Sequence, residues 1–595
     1  MPTIHYALSM PHPQTHLYHV EVAVEGFDQT SYDLIMPSWT PGSYLIREFA
    51  RHVQEFQALD AASQQPLPWS KRSKNTWRVD APAGHGTILL RYNVYANELT
   101  VRTSHLDTSH GYFNGANLFV YLDGQRRHPV TLSVTVPYAD WKVSTGLPRA
   151  SISLGGGNGA GNGRQEPEHD PLPRYHFQAE DYDHLIDCPV ECSNHRLLSF
   201  EVDDVQHQIA LWGHGNEDPE RLRRDTQAVV QAARDIFGGL PYDYYLFILH
   251  LLERGSGGLE HRNSSSNAVP RWSFRKPADY EKVISLLAHE FFHVWNVKRI
   301  EPASFRDFEY RWETYTRLLW VMEGFTTYYT PLLLRRAGLI TPERTLESFG
   351  EQILKLLQTP GRHLQSAETA SFDAWIKLYR PDENTPNTSV SYYLKGSLIA
   401  LLLDLEIRSG EREAGSGRGE AGNHLRSLDD VLITTYRDYT LQSKGIPEDK
   451  FQSICEQVAG GSLQQFFDDY VRGVAELPFE EYLGRAGLAV TYSWKGEGGE
   501  RSAGLGVQVK QQNGRAVVET VFADGPAYHA DLSVGDEIIA LDGYRVNQET
   551  LGERLADRQP GDQVTLTLFR RDELREVALT LGQRPYNKVE IRPRP

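Results

Sequence analysis

The hydrophobic periodicity of this chain changes twice, and no single-layer fold accommodates that. From His5 to about Leu198, segments such as HLYHVEVAV, GTILLRYNVYA, PVTLSVTVP and RYHFQAED alternate apolar and polar residues between Pro, Gly, Asp and Asn. That is the period of half-buried strands. From about Asp218 apolar residues recur every three or four positions, beginning with PERLRRDTQAVVQAARDIFGG, with Pro219 in the first turn and Gly238 at the stop. Further helical patterns cover 280–299, 315–337, 346–357, 390–407 and 428–439. After about Gly487 the strand period returns in GVQVKQ, AVVETVF, EIIALDG, QVTLTLFRR and REVALTL, with one short helix near 549–557. The chain therefore reads as multidomain α+β: an N-terminal all-β, sandwich-like domain over 1–198, a mainly helical domain over 199–486 and a small β-rich domain over 487–595. The Gly-rich stretch 155–163 reads as a flexible loop inside the β domain, and 409–423 as a polar surface loop between two helices without chemistry.

Composition narrows the function classes. The 595 residues carry 61 Lys+Arg against 78 Asp+Glu, a net charge of −17. That balance argues against nucleic acid or an anionic membrane as partner, since both reward clustered cations. Hydrophobic content of 40% and charged content of 23% exclude global disorder and fibrous architecture. Three cysteines, Cys188, Cys192 and Cys455, are too few for a disulfide scaffold and suit a reducing compartment. The opening lacks a basic segment followed by an apolar core, and the apolar runs at 246–252 and 398–403 fall short of the ~20 residues that span a bilayer. A soluble, cytoplasmic protein is expected.

The sharpest local signal is His289-Glu290-Phe291-Phe292-His293 within KVISLLAHEFFHVWNVKR. Helical spacing puts two histidines at i and i+4 on one face, where they can share one zinc ion, and Glu290 then lies beside the ion's water and can take its proton. A catalytic zinc needs a third protein ligand and an open position. The downstream glycine and histidine of one common extension are absent, because Asn296 and Arg299 stand there. Carboxylates on the following segments are the candidates: Glu323 in LLWVMEGFTTYY, and Glu313. Spacing alone leaves both open.

HEFFH followed by MEGFTTYY resembles the HExxH and NEGF elements of gluzincin metallopeptidases of the aminopeptidase N type, which implies Glu323 as the third ligand. Gly257-Gly258-Leu259-Glu260-His261 resembles the GxMEN element of those enzymes, with Leu259 for Met and His261 for Asn. The resemblance implies an edge strand that pairs with substrate backbone and a glutamate, Glu260, that binds the free α-amino group. Tyr392-Tyr393-Leu394-Lys395-Gly396 resembles the YxKG element, implying that Tyr393 hydrogen-bonds the oxyanion. Met36-Pro37-Ser38-Trp39-Thr40-Pro41-Gly42-Ser43-Tyr44 with Arg47 is similar to the N-terminal domain of the glycyl aminopeptidase family. Trp39 there suits either the cleft or the core. Gly504-Leu505-Gly506-Val507 and GPAYHADLSVGDEIIALDG resemble a PDZ fold. In such a fold the backbone of Leu505, Gly506 and Val507 would receive a peptide's C-terminal carboxylate.

Together these resemblances imply a thermolysin-like peptidase domain with one zinc, peptide substrates bearing a free N terminus, and removal of small N-terminal residues, glycine or alanine. Two other functions use the same residues differently: an endopeptidase whose PDZ domain selects C termini, and a non-catalytic peptide-binding protein.

Overall fold

The computed structural model describes residues 2–82, 84–150, 172–413, 426–494 and 503–594. The stretch 155–163 and residues 414–423 lie outside them. The described residues form two compact units: Met1–Arg299 with Asp307–Thr314, and Ile300–Arg306 with Tyr315–Pro595. No helix among them is long and apolar enough to cross a membrane.

The first unit begins with three β-sheets. The largest has six strands, in the order Arg174–Ala179, Val130–Thr135, Thr3–Ser9, Leu17–Glu25, Ile88–Tyr95 and Val53–Asp60. In Leu17–Glu25 every second residue, Tyr18, Val20, Val22 and Val24, is buried, as the alternating sequence requires. A five-stranded mixed sheet follows, in the order Arg196–Val202, Val205–Trp212, Tyr244–Leu252, Ser264–Pro270 and Gly257–Glu260. Its central strand Tyr244–Leu252 is a continuous apolar run, parallel to both neighbours and buried on both faces. The crossover helix Pro219–Phe237 starts where the Asp218 carboxylate accepts the Arg221 N–H, and it stops at Gly238, whose φ of 76° closes the last turn. The antiparallel strand Gly257–Glu260 is left as the sheet's edge.

The second unit is helical and then β. The helix Leu319–Arg336 is apolar on nearly every side and is accordingly buried, with Trp320 and Phe325 packed against Phe451. Beyond the helices lies the small β domain in the strand and helix order of a PDZ fold. Strands Val507–Gln512, Arg515–Val521, Glu537–Leu541, Gln563–Arg570 and Glu573–Thr580 form one sheet, and the helix Gln548–Ala556 closes a core of Leu505, Val518, Ile538, Leu551, Leu566 and Leu568. The domain is fastened to the helices by Asn387, whose amide donates to the Val521 carbonyl (2.8 Å) and whose carbonyl oxygen accepts the Ala523 N–H (2.9 Å).

Candidate active site

The HEFFH segment closes the helix Pro277–Phe292, which buries Tyr280, Val283, Ile284, Leu287, Phe291 and Phe292 and leaves His289 half-buried. The spacing predicts helix to residue 299, but the last helical residue is Phe292 and His293 caps it. The reason lies just beyond. Val297 adopts φ 119°, a conformation that costs a β-branched residue energy and stops the helix from continuing. That turn brings the Asn296 carbonyl to 2.7 Å from His293 Nδ1. The carbonyl can only accept, so Nδ1 carries the proton and Nε2 keeps its lone pair for a metal ion. The two imidazole rings lie 4.8 Å apart at 85°. This donor set fits zinc.

The edge strand Gly257–Glu260 lies directly against this helix. A Cβ on Gly258 would sit 2.0 Å from Glu290 Oε1, so only glycine admits the Glu290 side chain there. Glu260 follows two residues later on the same face. One ligand-type atom each from Glu260, Glu290 and His293 falls within 4.8 Å of the others, and all three side chains are buried. Gly42, at φ 83°, closes over Glu260: a Cβ there would meet Glu260 Oε1 at 2.7 Å and Leu259 Cδ1 at 2.6 Å. Trp39, three residues before it, is a core residue, with its indole N–H bonded to the Glu309 and Trp312 carbonyls (3.0 and 2.9 Å).

Arg102 and Asp187, which carry no sequence signal, help hold this strand. The Arg102 guanidinium donates to the Gly258 carbonyl (3.2 Å). His261, standing where the related motif has Asn, places Nδ1 3.3 Å from the largely buried Asp187 carboxylate, which also takes Lys298 Nζ at 2.7 Å and the Arg262 N–H at 2.9 Å. Burial alone would raise the Asp187 pKa, but Lys298 and His261 outweigh it and hold the carboxyl well below its usual range.

In the second unit, Glu323 and Tyr393 stand on the packed helices Leu319–Arg336 and Tyr392–Glu413. Their contact depends on two glycines. A Cβ on Gly324 would lie 2.6 Å from Gly396 Cα, and one on Gly396 would lie 2.5 Å from the Trp320 carbonyl oxygen. The glycines of MEGF and YLKG are therefore the two sides of one close crossing. Gly396→Ala is expected to cost about 2 kcal/mol, the scale of overpacking a tight interior, and to lower turnover as the helices part. Thermal melts and steady-state rates on the same preparation check both.

Burial, reinforced by the Glu323 carboxylate, pushes the Tyr393 phenol well above its usual pKa and keeps it protonated as a donor. The Tyr379 and Tyr393 hydroxyls are 3.2 Å apart. Glu323 is 2% exposed, whereas Glu313 lies half-buried in an irregular segment outside any helix.

In the PDZ-like loop Leu505 is buried, and Gly506 takes φ 76° with its carbonyl bonded to the Phe522 N–H. Val507 opens the edge strand, where Gln548 Nε2 donates to the Val509 carbonyl (2.9 Å). Cys188, Cys192 and Cys455 are free and buried.

Comparison with known proteins places these parts. Residues 5–194 match the Peptidase M61 N-terminal domain, 282–399 the M61 glycyl aminopeptidase and 503–581 a PDZ domain. The chain is similar to the crystal structure of an aminopeptidase N family protein from Idiomarina loihiensis, with a TM-score of 0.89 and 30% identity over 100% of this chain and 98% of that one. An M1 zinc metallopeptidase from Deinococcus radiodurans gives a TM-score of 0.48 and 15% identity over 80% of this chain and 94% of its own. A 74-residue stretch is 32% identical to a probable periplasmic serine endoprotease DegP-like of Brucella suis, and it spans 12% of this chain and 14% of that relative. Full-length similarity to the Idiomarina protein, with both M61 regions matched in order, shows that the chain is a peptidase and belongs to the M61 glycyl aminopeptidase family, with a PDZ domain following the peptidase region.

Proposed function

We propose that this protein is a zinc-dependent aminopeptidase of the gluzincin type that removes a small N-terminal residue, glycine or alanine, from peptides. The carrying observation is the carboxylate of Glu260 on an edge strand, buried beside Glu290 and His293. In such a place it suits the ammonium of a peptide whose backbone extends that strand, and an anchored amino end makes the enzyme an exopeptidase. The preference for glycine or alanine rests on the family match.

His289, His293 and Glu323 would hold the single catalytic ion. The Asn296 carbonyl on His293 and the burial of Glu323 support that assignment. Bound zinc polarises a carbonyl and acidifies water. Glu290, pressed against the Gly258 backbone, takes the water's proton and delivers it to the leaving amine. Tyr393, kept protonated, donates to the oxygen on which negative charge develops. Residues 199–486 would form the peptidase domain between the β domain and the PDZ domain. Leu505, Gly506 and Val507 would receive a peptide's C-terminal carboxylate. Free, buried cysteines suit the cytoplasm.

The test compares a Gly- or Ala-initiated peptide with its N-acetylated twin, with and without a chelator. Chelator-sensitive cleavage of the free-amine peptide alone is expected. Equal cleavage of both peptides would make the protein an endopeptidase, and cleavage of neither after zinc addition would favour a binding protein.

A further inference from the structure

On the face opposite Glu260, the sheet that carries it contributes one histidine to a second group of side chains that could ligate a metal, the others coming from a neighbouring sheet. Side chains alternate across a strand, and cross-strand partners share a face. Gly258, against Glu290, pairs with Asn267, whereas Gly257 pairs with Ala268, and Ala268 pairs in turn with His250. His250 therefore belongs to the face opposite Glu260. Its ring meets Tyr112 edge-on at 4.8 Å, and the Tyr112 hydroxyl reaches Ser266 on that same face.

There His250 Nε2 lies 3.0 Å from Oε2 of Glu191 in the strand Val190–Ser193, and Glu191 Oε1 lies 3.3 Å from Nδ1 of His110 in the adjacent strand His110–Phe113. One ligand atom from each of the three lies within 4.8 Å of the others, and none of the three residues is more than 1% exposed. Two imidazoles and a carboxylate are a borderline-soft donor set, which suits zinc above calcium or magnesium.

The surroundings orient these groups as a metal site requires. The Ser193 hydroxyl donates to Glu191 Oε1 at 2.7 Å. The His110 ring lies flat on the Trp212 indole, 3.6 Å between centroids and 10° between planes. His110 Nε2 is 2.9 Å from His105 Nδ1, and His105 Nε2 is 4.0 Å from Asp107. A second imidazole thus holds the far side of the inner one by hydrogen bonding, a contact of the kind that fixes a ligating ring. Among the described residues the ion pairs of Glu191 are with His110 and His250 alone, so no Lys or Arg balances a charge that is costly to bury. A cleft of about 510 Å³ is lined by Trp212, His195 and Arg271, and the His195 ring is 3.0 Å from the Ser193 hydroxyl.

We propose that His110, Glu191 and His250 form a second zinc site that pins two strands of the β region to the peptidase sheet. The alternative occupant of the same geometry is a proton shared among the three side chains.

The experiment counts zinc taken up by metal-depleted full-length protein. Wild type is expected to bind about two ions per chain, and a variant with both His289→Ala and His293→Ala about one. Adding Glu191→Gln, nearly isosteric, is expected to abolish uptake by that double variant and the rise in its melting temperature on zinc addition. A double variant that takes up no zinc overturns the proposal and leaves the proton-sharing triad. A triple variant that still takes up one ion overturns the assignment to these residues. The double variant leaves the buried triad untouched, so its result stands even where the triple variant fails to fold. Loss of the catalytic ion and loss of the second ion are read separately.

Discussion

Glu290→Gln is expected to lower kcat on a Gly-initiated peptide by about 10³-fold or more while the bound zinc is retained, because general-base catalysis contributes typically 10²–10⁴-fold. Glutamine keeps the shape of the side chain, so the contact with the Gly258 backbone survives, but an amide cannot take a proton from water. The imidazoles of His289 and His293, the proposed ligands, are unchanged and are expected to keep the ion. Rates and metal content measured on one preparation separate the two effects. A loss of less than about tenfold in kcat would remove Glu290 from its role as base.

Glu260→Ala is expected to reduce kcat/KM for the free-amine peptide by about 10²-fold, the scale of deleting one partner of a buried charge pair. Cleavage of the N-acetylated twin, already slow, should not change, because it presents no ammonium to lose. The discrimination between the two peptides is therefore the informative quantity. If both rates fell together, Glu260 would be holding the strand rather than the substrate. If neither fell, the amino end would be bound elsewhere.

What the sequence made legible follows from how local each feature is. HEFFH is an i, i+4 pattern on an apolar helix, and its residues stand where helical geometry puts them. The end of that helix was not legible, because it depends on the positive φ of Val297 and on the Asn296 carbonyl meeting His293. Spacing could not separate Glu323 from Glu313, since it does not show that one is buried on a helix and the other lies in an irregular segment; only the resemblance favours Glu323. Gly42 stood within a segment noticed for its aromatics, yet the glycine reaches Glu260 while Trp39 packs in the core. Asp187, Lys298 and Arg102 carried no pattern, because their partners lie far away in the chain.

The crossing of Gly324 and Gly396 has a consequence for how the enzyme comes into being. Glu323 and Tyr393 are distant along the chain, and neither helix presents the pair alone. Their arrangement exists only once a long loop has closed, a step slower than forming either helix. Catalytic competence in refolding should therefore lag behind the return of helical signal, and the interval between them measures when the two backbones finally touch.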